Sequence, residues 1–197
     1  MATREIKLYT DYKSPYAFLA VRPAYALEIE HDVRIEWLPL VLEIPEFLGS
    51  VESRNEHQWR RVRYSYMDAR RLANRVGLTI RGPKKIFDSS LAAYGLLYAK
   101  QQDVFKTYND ITFDRFWKRE LDIEDLTAIT QVLVQAGADV SSFDSFCQGE
   151  GPDLVRQIRH EANDFDVFGV PTFVLDGEAF WGTDRIALLK ERLHTSS

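Results

Sequence analysis

Cysteine occurs once in this 197-residue sequence, at Cys147, and a single thiol excludes an intrachain disulfide, a dithiol redox cycle and a metal site built from cysteines. An excess of positive charge is also missing. The 25 Lys and Arg against 30 Asp and Glu leave a formal charge of −5, which argues against non-specific attraction to nucleic acid or to an anionic membrane and leaves room only for a local basic patch. Long hydrophobic runs are absent: the opening MATREIKLYTDY has neither a basic segment ahead of an apolar core nor a stretch able to cross a bilayer. The four histidines, His31, His57, His160 and His194, lack ligand spacing, so no metal is expected. Together these absences point to a cytoplasmic, reducing setting. The expected partners are small molecules, with neither nucleic acid nor membrane among them.

What is present is the composition of a folded protein. Hydrophobic residues make up 45% and charged residues 28%, far from the regime of disorder, and the length suits one domain or a small domain with a large insertion.

Glu5 to Tyr9, EIKLY, alternates as a half-buried strand does. Ser14 is placed to cap a helix with Pro15 at its first position, running to about Glu30 with a kink at Pro23. Val33 to Leu40 is a second alternating strand, so a β-α-β unit with parallel strands and a right-handed crossover is expected. That is a thioredoxin-like beginning. Then the pattern turns helical for about a hundred residues. Helices are expected near Glu56–Val76, Ser89–Gln102, Val104–Arg119, Ile123–Ala136 and Ser142–Gln148. A helix from Asp153, two strands about an Asp176-Gly177 turn and a closing helix from Thr183 complete an α/β fold. The expected division is a thioredoxin-like domain from residues 1–42 and 150–197, with a helical domain inserted at 43–149.

Four stretches could carry chemistry. Ser14 stands at a helix N-terminus, where unpaired N–H groups and the macrodipole stabilise a neighbouring anion such as a thiolate; its plainer role is a cap. In FGVPTFV, Phe168 to Val174, Pro171 opens a strand. X-Pro frequencies favour a trans bond there, whereas a cis bond would turn the Val170 backbone outward to pair with an extended peptide. In FWGTDRI, Gly182 permits close approach, and Thr183 or Asp184 begins a helix able to take a carboxylate on its N–H groups and an ammonium on Asp184. Glutathione carries both charges at its γ-glutamyl end. The fourth stretch, Arg61 to Gly77, has the period of an amphipathic helix with a basic face.

In this order, and around a helical insertion, these stretches resemble the 2-hydroxychromene-2-carboxylate isomerase family, DsbA-like proteins related to kappa-class glutathione transferases. The matching elements are DYKSPYAFLA, the helix positions Tyr64, Asp68, Arg71 and Ala73, then FGVPTF and FWGTDRI. The resemblance implies a thioredoxin-like fold with a large all-helical insertion. It also implies glutathione as cofactor, a small aromatic substrate and a homodimer. Ser14 then corresponds to the hydroxyl that meets the glutathione sulfur, Val170 beside Pro171 to the residue pairing with its cysteinyl backbone, and Thr183 and Asp184 to the pair that holds the γ-glutamyl group. Arg61 takes the place of a lysine, and Asn55 that of the asparagine before it. The family's proline-rich G-N-x-P-P loop is replaced here by GSVESRNEHQWRR.

The implied activity is glutathione-dependent isomerisation of 2-hydroxychromene-2-carboxylate or a related aromatic pyruvate. A kappa-like glutathione transferase and a non-catalytic thioredoxin-fold peptide binder are the alternatives. Serine cannot run disulfide exchange, so a dithiol oxidoreductase conflicts with these residues.

Overall fold

Strand β1 (Arg4–Thr10) is the centre of the molecule, and its sequence shows why: Ile6, Leu8, Tyr9 and Thr10 are all buried, as expected of a strand with a neighbour on each edge. The computed structural model describes residues 3–45 and 49–195. Helix α1 (Pro15–Glu30) leads from β1 to β2 (Val33–Pro39), which lies parallel to β1 with Ile6 opposite Ile35. The helix continues through Pro23. Its buried side chains, among them Phe18, Leu19, Val21 and Leu27, come from most of its circumference, so it lies in the core and not on the surface.

The helices α2 (Glu56–Arg75), α3 (Ser90–Gln101), α4 (Phe105–Trp117), α5 (Leu126–Ala136), α6 (Phe143–Gln148) and α7 (Glu150–Asp164) follow. The chain then returns to the sheet with β3 (Thr172–Leu175) and β4 (Glu178–Trp181), passes a 3₁₀ turn at Thr183–Arg185 and closes with α8 (Ile186–Thr195). The strand order is β2-β1-β3-β4, with β3 antiparallel to both β1 and β4. This is the thioredoxin-like fold with helical insertion that the sequence implied. The Asp176-Gly177 turn is the expected hairpin, with both residues at positive φ, 51° and 81°.

Boundaries moved where capping chemistry overrode periodicity. Helix α5 begins three residues later than its apolar pattern because Asp125 caps it, accepting from Thr127 N at 2.8 Å. Helix α7 begins three residues earlier than Asp153, since Pro152 falls in its first turn, where a missing N–H costs nothing. At Thr183 the chain forms the 3₁₀ turn before the α-helix starts.

The helical block docks on α1 through aromatic rings. Phe18 stacks on Phe113 at 5.5 Å and on Trp117 at 6.4 Å, and Tyr12 leans on Phe113 at 4.6 Å. Within the block α3 is the central helix. Its Gly95 faces Tyr108, whose hydroxyl donates to the Ala92 carbonyl at 2.9 Å. A Cβ at position 95 would stand 2.2 Å from the Tyr108 hydroxyl oxygen and 3.1 Å from Ile129 Cγ2.

Gly95→Ala sets about 1 kcal/mol of helix propensity against an overpacking cost of about 1–3 kcal/mol, and Tyr108 is fully buried with no room to retreat. The expected outcome is a lower urea midpoint at unchanged slope. A midpoint that stays or rises would show that the α3–α4 contact yields.

Candidate active site

The loop after β1 is held by one carboxylate. Asp11 is buried; its Oδ1 accepts from the backbone N–H of Lys13 at 3.1 Å, and its Oδ2 accepts from that of Leu42 at 2.7 Å. Leu40 N donates to Thr10 O at 2.8 Å. The segment that starts α1 is thereby tied to the segment that leaves β2, and both contribute walls to one cavity.

Ser14 is the N-cap of α1, in extended backbone conformation (φ −90°, ψ 117°), and its Oγ accepts from Ala17 N at 3.2 Å. The same oxygen donates to the Val170 carbonyl across a 3.4 Å gap, long beside the roughly 2.7–2.8 Å usual for a hydroxyl donor. The hydroxyl is therefore fixed as an acceptor and only weakly engaged as a donor. A better acceptor placed beside it, above all an anion, can take that proton.

The cavity at Ser14 has a volume of about 270 Å³. Its walls include Lys13 and Tyr16 from the start of α1, Arg61 and Tyr66 from α2, and Val170 and Trp181 from the returning sheet. No carboxylate lines it among the described residues. Phe168 and Trp181 form an exposed aromatic pair on its wall, with centroids 4.7 Å apart at 60°. Gly169 lies under that pair, and a Cβ there would stand 2.9 Å from the indole nitrogen, so a larger residue would displace the Trp181 ring.

Each residue expected from the sequence has a definite place. Ser14, Val170 and Arg61 share the cavity. Pro171 follows in a cis peptide bond, against the general frequency of such bonds, and its carbonyl accepts from Gly182 N at 2.9 Å. That contact brings the FWGTDRI element alongside. Thr183 Oγ1 donates to the Tyr16 carbonyl at 3.0 Å, which joins the 3₁₀ turn to the first turn of α1, although Thr183 does not line the cavity. Asp184 is exposed and paired with Arg185 at 2.5 Å. Gly182 sits at φ 107°, and a Cβ there would meet Asp184 Oδ1 at 2.6 Å, so only glycine lets that carboxylate lie where it does. Asn55 is apart from the others. It caps α2 in a reciprocal capping box with Gln58, accepting from Gln58 N at 2.9 Å, and is not a wall of the cavity.

The sequence reading missed the partner of Asp68. The Tyr16 hydroxyl donates to Asp68 Oδ2 at 3.0 Å, and burial, then Asp68, hold its pKa far above the usual tyrosine value. Tyr16 thus stays protonated and clamps α2 against the start of α1. It also missed Lys13, Tyr66, Phe168 and Trp181 as walls. All four lie inside stretches already singled out, so adjacency to the named residues of those stretches was the available signal.

This chain belongs to the family of DSBA-like thioredoxin domains, whose model matches residues 5–194. Among its relatives, a 2-hydroxychromene-2-carboxylate isomerase of Sphingobium xenophagum is 27% identical over 97% of this chain and 98% of that protein. A solved 2-hydroxychromene-2-carboxylate isomerase superposes with a TM-score of 0.81 at 23% identity, over 97% of this chain and 95% of the other. The cytosolic disulfide reductase DsbM of Pseudomonas aeruginosa, solved with GSH, superposes at 0.64 with 15% identity, over 96% and 99%. No described helix is long and apolar enough to cross a membrane, and no described group of three or more His, Cys, Asp and Glu could hold a metal ion.

Cys147 lies on α6 and is not a wall of the cavity. Burial, and then Asp144, push its thiol up to about 11, so at neutral pH it is protonated and a poor nucleophile. Alkylation of the folded protein is expected to be slow at pH 7 and to accelerate toward pH 11. Cys147→Ala is expected to retain any activity that depends on added thiol. Loss of that activity would place Cys147 in the chemistry.

Proposed function

We propose that this protein is a glutathione-dependent isomerase of 2-hydroxychromene-2-carboxylate or a related unsaturated aromatic pyruvate. The observation that carries the reading is the Ser14 hydroxyl, anchored as acceptor by Ala17 N at 3.2 Å and bound only at 3.4 Å as donor. The isomerase names of the relatives and the GSH of the structurally similar DsbM support the choice of thiol and substrate.

Glutathione, when bound, supplies a thiolate that adds to a conjugated double bond and leaves once the single bond has rotated. The chain's own part is to hold that sulfur as an anion. The Ser14 O–H is the donor to it, and the N-terminal end of α1 adds its positive dipole. A charge-assisted hydrogen bond contributes about 1.5–3 kcal/mol, equivalent to about one to two pKa units. Free thiols titrate near about 8.5, so a shift of that size makes the thiolate a substantial fraction at neutral pH. Val170 would pair with the cysteinyl backbone, while Thr183, Asp184 and Arg61 would hold the charged ends. The homodimer implied by the resemblance belongs to the same reading. Disulfide exchange has no place in it, because Ser14 stands where a redox cysteine would be and Cys147 is the single thiol of the chain.

Ser14→Ala tests the reading. Loss of the cap is expected to cost about 1 kcal/mol of stability, while turnover with glutathione falls by about tenfold to a hundredfold and the thiol pKa in the complex rises by about one to two units. The thiolate absorbance of the complex measures that pKa. Unchanged turnover and thiol pKa would reduce Ser14 to a helix cap. Recovery of glutathione as a stable adduct would replace isomerisation by conjugation.

A further inference from the structure

The walls of the Ser14 cavity include the hydroxyl side chains of Ser14, Tyr16, Ser65 and Tyr66. Three of these have a protein acceptor for their proton. Ser14 faces the Val170 carbonyl at 3.4 Å, Tyr16 donates to Asp68 at 3.0 Å and Ser65 Oγ donates to the Arg61 carbonyl at 2.9 Å. The Tyr66 hydroxyl has no hydrogen-bond partner among the described residues. Elsewhere in the chain the hydroxyls of Tyr9, Tyr12, Tyr25, Tyr98 and Tyr108 each donate to a named acceptor.

The ring of Tyr66 is held nonetheless. It is half-buried and packs against Trp117, with centroids 6.4 Å apart at 53°, and its Cδ1 lies 3.7 Å from where a Cβ on Gly82 would stand. Tyr66 also walls an adjoining cavity of about 250 Å³, so it stands at the partition between the two. Burial raises its pKa above the usual tyrosine value while Arg54 and Arg70 pull it down, and at neutral pH the phenol keeps its proton. A neutral donor on a packed ring, with no acceptor supplied by the protein, can bond a ligand oxygen at little cost in ordering. The residue lies between Tyr64 and Asp68, which carry the resemblance, and is not itself part of that pattern.

From this we infer that Tyr66 is a catalytic residue of the Ser14 cavity: its hydroxyl donates to the keto oxygen of the aromatic pyruvate, where charge develops as the double bond opens. The inference rests on the isomerase reading for the class of substrate and names the group that stabilises its reacting oxygen. Opening the conjugated double bond by thiolate addition forms one C–S bond and moves the π pair onto the keto oxygen. Closing it breaks the C–S bond and returns the pair. No atom is gained or lost, and the Tyr66 proton stays on its oxygen throughout. A donor at that oxygen bonds more strongly as the charge grows, and so lowers the barrier in both directions.

The test separates the hydroxyl from the ring. Tyr66→Phe removes one oxygen and keeps the contact with Trp117, so the melting temperature is expected to stay within about 2 °C. Binding is followed by tryptophan fluorescence on the full chain without glutathione. The two ligands are benzylpyruvate, the saturated form of benzylidenepyruvate, and phenylbutanoate, the same acid with a methylene in place of the keto group. The unmodified protein is expected to prefer the keto acid by about threefold to tenfold, the worth of one neutral hydrogen bond, and Tyr66→Phe to lose that preference. Each preference is a ratio within one protein, so any effect of the substitution on the cavity as a whole cancels. With glutathione saturating, as judged from the affinity measured for each protein, Tyr66→Phe is expected to lower kcat by about a hundredfold and to change KM by less than about tenfold. Equal affinity for the two acids in the unmodified protein, a preference that survives in Tyr66→Phe, or an unchanged kcat overturns the proposal. If Tyr66→Phe instead loses a preference for benzylpyruvate over its neutral carboxamide, the donor serves the carboxylate and the keto assignment falls. The two readings fail separately. If the keto preference and its loss in Tyr66→Phe hold but turnover needs no glutathione, the isomerase reading falls alone. If glutathione-dependent turnover holds and Tyr66→Phe changes neither the preference nor kcat, the role of Tyr66 falls alone.

Discussion

One hydroxyl, on Ser14, connects the two halves of the sheet to the cavity. Its oxygen is pinned by the first turn of α1, and its proton points at a carbonyl that belongs to the segment entering β3. That meeting depends on the antiparallel register of β1 and β3, in which Tyr9 faces Thr172 and Leu8 faces Phe173. A slip of one residue would turn Ile6, Leu8 and their neighbours to the wrong face, so the same hydrophobic burial that holds the sheet also sets the distance at the site. The long 3.4 Å contact is then a property of the fold and not of the serine alone.

Around this point the chain arranges charge in a way its total conceals. Asp11 is spent inside the structure, knotting the start of α1 to the exit of β2, and Asp68 is spent on the Tyr16 hydroxyl. Asp11 also pairs with the Lys13 ammonium, Nζ standing 3.4 Å from its Oδ2. An acidic chain, poorly suited to polyanions as a whole, thus walls the Ser14 cavity with Lys13 and Arg61 and with no carboxylate among the described residues. The exposed pair Phe168 and Trp181 adds an apolar wall on the other side.

The resemblance to isomerases and the departure from their substrate loop also find a common physical account. The elements that would hold the tripeptide, Ser14, Val170 and the turn at Thr183, are backbone features anchored to the sheet and to α1. Arg54 and Trp59, which wall a cavity adjoining that of Ser14, come from the loop before α2 and from its first turn, where sequence can change without disturbing the core. Among the twenty residues of α2 only Ala69 and Ala73 are buried, so most of its positions can change without disturbing the core.

The sequence by itself determined the elements whose causes are local. Ser14-Pro15 starts α1, Asp176-Gly177 makes the hairpin, and the alternation in β1 and β2 sets their faces, because caps, turns and period-two burial involve residues a few positions apart. Ser14 and Val170 stood out within short stretches, Arg61 was pointed to only by the resemblance, and the fold brings the three to one cavity. Asn55 lay in such a stretch as well, yet its side chain serves the reciprocal cap of α2, which the sequence showed only as a nearby Gln58. What only the tertiary structure decided was the company these residues keep. The bond from Lys13 to Ser89, the bond from Tyr16 to Asp68 and the weak donor contact of Ser14 arise between groups 52 to 156 positions apart, and no local pattern encodes such a distance. Packing of the helical block on α1 brings those groups together, and that packing is a sum of many small contacts with no signature in any one of them.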